Sequence, residues 1–280
     1  ADMNEDRMSC RSLDARSLEL RRAIVRVLAC AGRGHVGPSL SLVEILRVLF
    51  DSILRYDPAR PKWSQRDRFI LSKGHGCLAL YVLLAEKGFF AEDELWKCCR
   101  FEGLLGGHPD PKTPGVEIST GSLGHGLPVA VGMALAARMR QAAHRVFVVL
   151  GDGECNEGSN WEAAMCAAKH RLANLTVLVD YNKMQSYGST FEVLDLEPFA
   201  EKWRSFGFAV EEVDGHDVSA LEAVLSRLPL DPARPSAVIC HTVKGKGIAC
   251  AEDNVAWHHK SGLKEADAQT LLRALEKGHA

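Results

Sequence analysis

Apolar positions recur along the chain at helical and strand periods in alternation, the pattern of an α/β fold with a parallel sheet. Residues 17–31 (SLELRRAIVRVLACA) carry helical spacing and run into a glycine-rich break, GRGHVGPS. A second helix is expected over 41–54, with Ser41 as N-cap and Glu44 completing a capping box. RFILS (68–72) reads as a short buried strand, followed by the turn KGHG and a helix from Cys77. Residues 101–126 are rich in glycine and proline, so no regular element is expected there, and a helix over 128–140 comes after them. The clearest unit is 145–182: the apolar strand RVFVVL, the turn GDGECNEG, the helix WEAAMCAAKHRL and the apolar strand LTVLVDYN. That order and length make one βαβ crossover. A helix at 198–208, a strand at 209–215, a helix at 217–228, a strand at 236–243 and an exposed helix at 262–278 complete the expected order. No repeat or linker-like tract interrupts it, so 15–280 is expected to form a single domain. Residues 1–14 read as a tail, frayed or left over from cloning.

Composition narrows the function. Thirty-four Lys and Arg against 36 Asp and Glu give a net charge of −2, which argues against a polybasic nucleic-acid binder. No apolar run reaches the ~20 residues that span a bilayer, and the N-terminus lacks the apolar region of a signal peptide. Nine cysteines, an odd count with no CxxC pair, read as reduced thiols of a cytoplasmic protein. The adjacent Cys98 and Cys99 are expected to be an accident of one helix face, not a redox device.

The chemistry begins with two polar groups. Asp152 follows one apolar strand and Asn182 follows the next; ligands of open α/β sheets bind beyond such strand ends. A carboxylate and a carboxamide are hard-oxygen ligands, suited to Mg²⁺ or Ca²⁺ and not to zinc, with phosphate and water oxygens filling the remaining positions. Gly151 and Gly153 are expected to permit close approach and unusual φ, and the helix starting near Gly158 to aim its N–H groups at the site. A plain turn with a surface Asp also satisfies GDG by itself; Asn182 is what brings the cation site level with that reading. Histidines add a second signal. His35, His75, His108 and His125 lie in glycine or proline loops and His258 follows Trp257, as in a polar active-site rim able to move protons. His144, His170, His216, His241, His259 and His279 are expected to be packed or surface residues.

Together these segments resemble the transketolase family, and more narrowly the diphosphate-binding N-terminal subunit of a split transketolase. The matching motifs are GHVGPSLS (34–41), LSKGHG (71–76), GGHPDPKTPGVEISTGSLGHGLPVAVGMALA (106–136), LGDGECNEGSNWEAA (150–164), VDYNKMQSYG (179–188), VDGHD (213–217), HTVKGKG (241–247) and WHHKSG (257–262). GDG with a later strand-end Asn would also suit the α chains of 2-oxo acid dehydrogenases; the SKGH, GHPD and TGSLGHG segments favour transketolase. The resemblance implies a three-layer α/β/α fold of the PP type that binds thiamine diphosphate. It implies Asp152, Asn182 and the Met184 carbonyl as ligands of Mg²⁺, with Ca²⁺ or Mn²⁺ as substitutes. It places backbone N–H groups of Gly153 and Glu154, and the side chains of His75, Lys244 and His258, on the diphosphate. Gly121 and Leu123 correspond to the loop beside the cofactor rings. His35, His108 and His258 correspond to proton-moving groups at the sugar's C1 and C2 oxygens. Glu157 corresponds to an acid at the subunit contact that orders the partner's base.

The family transfers a two-carbon ketol unit from a ketose, or its phosphate, to an aldehyde. The chain ends before the pyrimidine-binding domain that supplies the Glu acting on the aminopyrimidine ring. A separate C-terminal subunit is therefore expected as partner, in a cytoplasmic heterotetramer that is active only when assembled. Two alternatives remain: another thiamine diphosphate enzyme, acting on 2-oxo acids or on an unusual ketol acceptor, and a cofactor-binding scaffold without turnover. A Rossmann dehydrogenase is excluded by the absence of GxGxxG after an early strand.

Overall fold

The computed structural model describes residues 13–277. Most of the expected tail, with Cys10, and also His279, lie outside these residues. The chain enters through α1 (Ala15–Ala31), whose N-cap Asp14 accepts a hydrogen bond from the Ser17 amide. The glycine-rich break holds β1 (Arg33–Gly34) and α2 (Val36–Leu40). α3 (Val43–Val48) comes next, and a π-helical turn, Leu49–Ile53, extends it.

The expected capping box of α3 does not form. The Ser41 hydroxyl donates to Asp180 Oδ2 at 2.6 Å, and Glu44 is taken by Arg21 and His216. α3 follows α2 almost directly, so Leu42 caps it in a helical conformation without a side-chain bond.

After β2 (Arg68–Leu71), a short 3₁₀ turn leads into α4 (Cys77–Glu86), whose residues 77–85 are all buried. A helix apolar all round must be enclosed, and α4 packs against α1 and α3. A 3₁₀ segment, Glu92–Lys97, precedes the expected irregular stretch, which ends at α5 (Gly126–Met139). β3 (Val146–Gly151), α6 (Gly158–Lys169) and β4 (Leu175–Tyr181) form the expected βαβ unit. The short α7 (Thr190–Leu194) begins with a capping box that patterning missed, between Ser189 and Glu192. α8 (Phe199–Ser205), β5 (Ala209–Asp214), α9 (Val218–Leu225), β6 (Ser236–His241), β7 (Lys260–Ser261) and α10 (Glu265–Lys277) complete the chain.

Among the described residues, five parallel strands form one sheet in the order β2-β3-β4-β6-β5, and β1 pairs antiparallel with β7. Strand alternation builds a core on each face. Phe147, Val149, Leu178 and Val238 pack with residues of α1, α3, α4, α9 and α10. Val146, Val148, Val177 and Ile239 pack with α5, α6 and α8. With both faces covered, the strands read as continuous apolar runs. The expected exposed final helix is corrected in one respect: Ala268, Leu271 and Leu275 of α10 are buried, and α10 docks on α1.

Candidate active site

Four adjacent strands of the sheet each end in a residue of one cavity of about 220 Å³: Lys73 after β2, Asp152 after β3, Asn182 after β4 and Lys244 after β6. His35, His75, His108, Gly121, Leu123, Gly153, Glu154, Met184 and His258 line the same cavity. Glu157 does not; it sits exposed at the N-cap of α6. His125 is also apart, exposed, its Nδ1 against the Leu123 carbonyl at 3.1 Å.

The floor is a buried ion pair that patterning missed. Lys73 and Asp180 are bonded to each other with almost no exposure. Asp180 also accepts from Ser41 and Thr242. Burial pushes the Asp180 carboxyl up, but Lys73 and these hydrogen bonds outweigh it and hold it below the ordinary value. The available signal was a carboxylate inside the apolar run LTVLVDY, since such a group is buried only when paired.

Asp152 lies beside this pair. Burial and the Asp180 charge raise it to about 6, against hydrogen bonds from the Gly153 and Lys183 amides and the charge of Lys73. Asn182 Oδ1 accepts from the Met184 amide at 3.1 Å. Lys244 Nζ donates to the carbonyls of Met184 and Gln185 at 3.1 and 3.2 Å, and burial with Lys73 nearby lowers it to about 8. A raised carboxylate, an amide oxygen and a carbonyl already facing positive charge form a donor set for a hard cation. Among the described residues no group of three or more His, Cys, Asp or Glu could hold a metal; this set needs only one of them.

The glycines act through space and not through the expected φ. Neither Gly151 nor Gly153 has a positive φ, but a Cβ on Gly153 would stand 2.9 Å from Gln185 Cγ. The N-terminus of α6 is also not at the cavity: a 3₁₀ turn, Gly153–Asn156, intervenes, so the backbone facing it is 151–154. The Glu154 side chain works beneath the surface, accepting from Ser72 and from the amides of Gly124 (2.9 Å) and Gly151 (3.1 Å). It thereby fastens the 121–124 loop to the GDG turn. Gly121, with φ 134°, lies against the His108 ring, where a Cβ would come within 2.9 Å.

The imidazoles meet at one end. The His35 ring centroid lies 5.5, 5.8 and 5.4 Å from those of His75, His108 and His258. His259, expected to be a bystander, is 4.6 Å from His35. Burial and neighbouring cations lower His35 to about 4 and His258 to about 3, and burial lowers His75 and His108 also. These rings are neutral near pH 7, each able to donate at one nitrogen and accept at the other. His258 Nδ1 is buried without a hydrogen-bond partner, a polar atom aimed at a ligand.

Residues 15–277 match the family model described as transketolase, thiamine diphosphate binding domain. The chain belongs to that family. One of the two subunits of an apulose-4-phosphate transketolase from Phocaeicola vulgatus is 40% identical over 270 residues, covering 96% of each chain. A 6-deoxy-6-sulfo-D-fructose transketolase subunit from a Clostridium species is 40% identical over 259 residues, 92% of this chain and 94% of its own. The crystal structure of transketolase from Campylobacter jejuni superposes with a TM-score of 0.86 at 29% identity. The match covers 95% of this chain but 43% of that one, so this transketolase domain spans less than half of the solved enzyme. The three-layer fold is thus that of the transketolase diphosphate-binding domain.

Proposed function

We propose that the chain, with residues 15–280 acting as one domain, is the diphosphate-binding subunit of a split transketolase. It moves a two-carbon ketol unit from a ketose to an aldehyde together with a separate chain that carries the pyrimidine-binding domain and its Glu. The observation that carries this reading is the convergence of Asp152 and Asn182, from neighbouring strand ends, on one cavity with Lys244 and four imidazoles. The subunit names of its relatives support a two-chain enzyme, and the sugars in those names support a ketose phosphate or a related anionic ketose as donor.

Asp152, Asn182 and the Met184 carbonyl would hold Mg²⁺. Lys244, His75, His258 and the Gly153 and Glu154 amides would hold the diphosphate, offsetting its charge. Gly121 and Leu123 would flank the rings, and the exposed Glu157 would meet the partner. Bound thiamine diphosphate supplies the nucleophilic carbon and the electron sink for breaking and remaking the ketose C2–C3 bond. The chain's own share is orientation and proton handling. His35, His108 and His258, neutral at pH 7, would donate to the sugar's C1 and C2 oxygens and pass protons as charge develops there. Mixing the chain with its pyrimidine-domain partner, thiamine diphosphate and Mg²⁺ should give ketol transfer from a ketose phosphate. Decarboxylation of 2-oxo acids without ketol transfer would reject the reading.

A further inference from the structure

The adjacent cysteines are not on a helix face. Cys98 is fully buried at the end of the Glu92–Lys97 turn, and Cys99 is half-buried in a left-handed backbone with φ 59°. Their sulfurs lie 3.9 Å apart. Cys99 also holds the loop that carries His108. Its amide donates to the Leu105 carbonyl at 2.8 Å, and its sulfur would be 3.9 Å from a Cβ on Gly107. The next contacts hold the same loop: the Cys77 thiol donates to the Gly107 carbonyl at 3.3 Å and the Tyr81 hydroxyl to the His108 carbonyl at 2.7 Å.

We propose that Cys98 and Cys99 form a redox modification site, in which peroxide joins their sulfurs in a vicinal disulfide and shifts the loop bearing His108. Two features assign the order of steps. Cys99 is the accessible thiol, and Arg33 of β1 hydrogen-bonds it. The hydrogen bond from Cys98 together with Arg33 holds the Cys99 thiol down to about 6 against burial, whereas that shared bond and burial push Cys98 up. The thiolate is the nucleophile, so Cys99 reacts first.

Cys99 sulfur attacks one oxygen of hydrogen peroxide. The O–O bond breaks, and hydroxide leaves and takes up a proton as water, giving a sulfenic acid on Cys99. Cys98 sulfur then attacks that sulfur. The S–O bond breaks, and the Cys98 proton departs with the hydroxyl as a second water. The two thiols lose two electrons and the peroxide gains them. A trans peptide sets neighbouring Cα atoms about 3.8 Å apart, closer than an ordinary disulfide spans, so the bond is strained and a dithiol reverses it readily. Closing the ring must also turn the Cys99 backbone, which moves the Leu105 and Gly107 contacts.

The chain alone tests the bond, independently of the proposed catalytic reading. It is treated with hydrogen peroxide, blocked with N-ethylmaleimide and cut with chymotrypsin, and the Lys97–Phe101 peptide is weighed. The expected peptide is unblocked and lighter by two hydrogens, and dithiothreitol restores two blockable thiols. Cys98→Ser should stop at a sulfenic acid on Cys99 that dimedone traps. Oxidation of exposed Cys250 while both Cys98 and Cys99 stay blockable would overturn the proposal, as would a link from Cys99 to Cys77 or Cys30. The effect on turnover rests on the proposed role of His108. In the assembled enzyme, oxidation should lower kcat roughly tenfold or more, reversibly with dithiothreitol, and Cys98→Ser should not form the disulfide. A disulfide that forms with kcat unchanged would overturn the coupling to His108.

Discussion

Asp152 carries a cost in the ligand-free chain. Its value of about 6 lies above the ordinary 3.8, so the ionised form is disfavoured at neutral pH until a cation arrives. Asp152→Asn should therefore not lower Tm near pH 7, yet should remove the Mg²⁺ dependence of thiamine diphosphate binding. Scanning calorimetry and titration calorimetry check the two halves, and unchanged Mg²⁺-dependent affinity rejects the ligand. His108 lies on the imidazole side of the cavity, beside His35 and under Gly121. His108→Ala should leave cofactor affinity near normal and reduce kcat by roughly 100-fold. A weakened cofactor Kd with kcat preserved would move His108 to the diphosphate side. At this scale the motif residues were legible in the sequence because catalysis restricts their type. Lys73 and Asp180 were not, because only the folded sheet brings a post-β2 lysine against a β4 carboxylate.

At the scale of elements, the 101–126 stretch is held by specific contacts although it has no regular structure. Gly121 combines a φ of 134° with the nearby His108 ring, so Gly121→Ala strains the backbone and pushes the ring. Thiamine diphosphate binding should weaken while the far-UV circular dichroism stays native; unaltered affinity and kcat would show that the loop yields freely. α10 was read as exposed because its polar face dominates the sequence. Leu271 is nevertheless buried against the α1 side of the core. Leu271→Ala should cost about 2–5 kcal/mol by urea denaturation. A loss below about 0.5 kcal/mol would mean that α10 does not share the cooperative core. Ser41 and Glu44 show the limit of local rules: their spacing fits a cap, but tertiary partners with stronger charge and deeper burial take both side chains.

For the whole molecule, the depressed histidines make stability pH-dependent. His35 and His258 bind protons more weakly folded than unfolded, so their contribution is complete above the ordinary 6.5 and is lost as pH falls toward about 4 and 3. The urea midpoint should fall between about pH 7 and pH 5, and fall less in a His35→Gln, His258→Gln variant. An equal fall in both proteins would assign the acid sensitivity elsewhere. Among the described residues no helix is long and apolar enough to cross a membrane. The same chain supplied with thiamine diphosphate and Mg²⁺ but without its partner should show no ketol transfer, because the pyrimidine-side acid is proposed to lie on that partner. Sustained turnover by the single chain would contradict the division of the site between two chains.

Periodicity by itself determined the α/β order, the βαβ unit and the apolar strands, because burial on both faces of a parallel sheet leaves a continuous apolar signature. Motif spacing determined which strand-end and loop residues would carry chemistry. Tertiary structure alone decided that β6 inserts between β4 and β5, and so that Lys244 reaches the Met184 carbonyl. It also decided that Lys73 neutralises Asp180, that His259 joins the imidazole cluster and that Cys98 and Cys99 leave the helix. These outcomes depend on contacts between residues far apart in the chain or on backbone turns set by such contacts, and no local pattern encodes them.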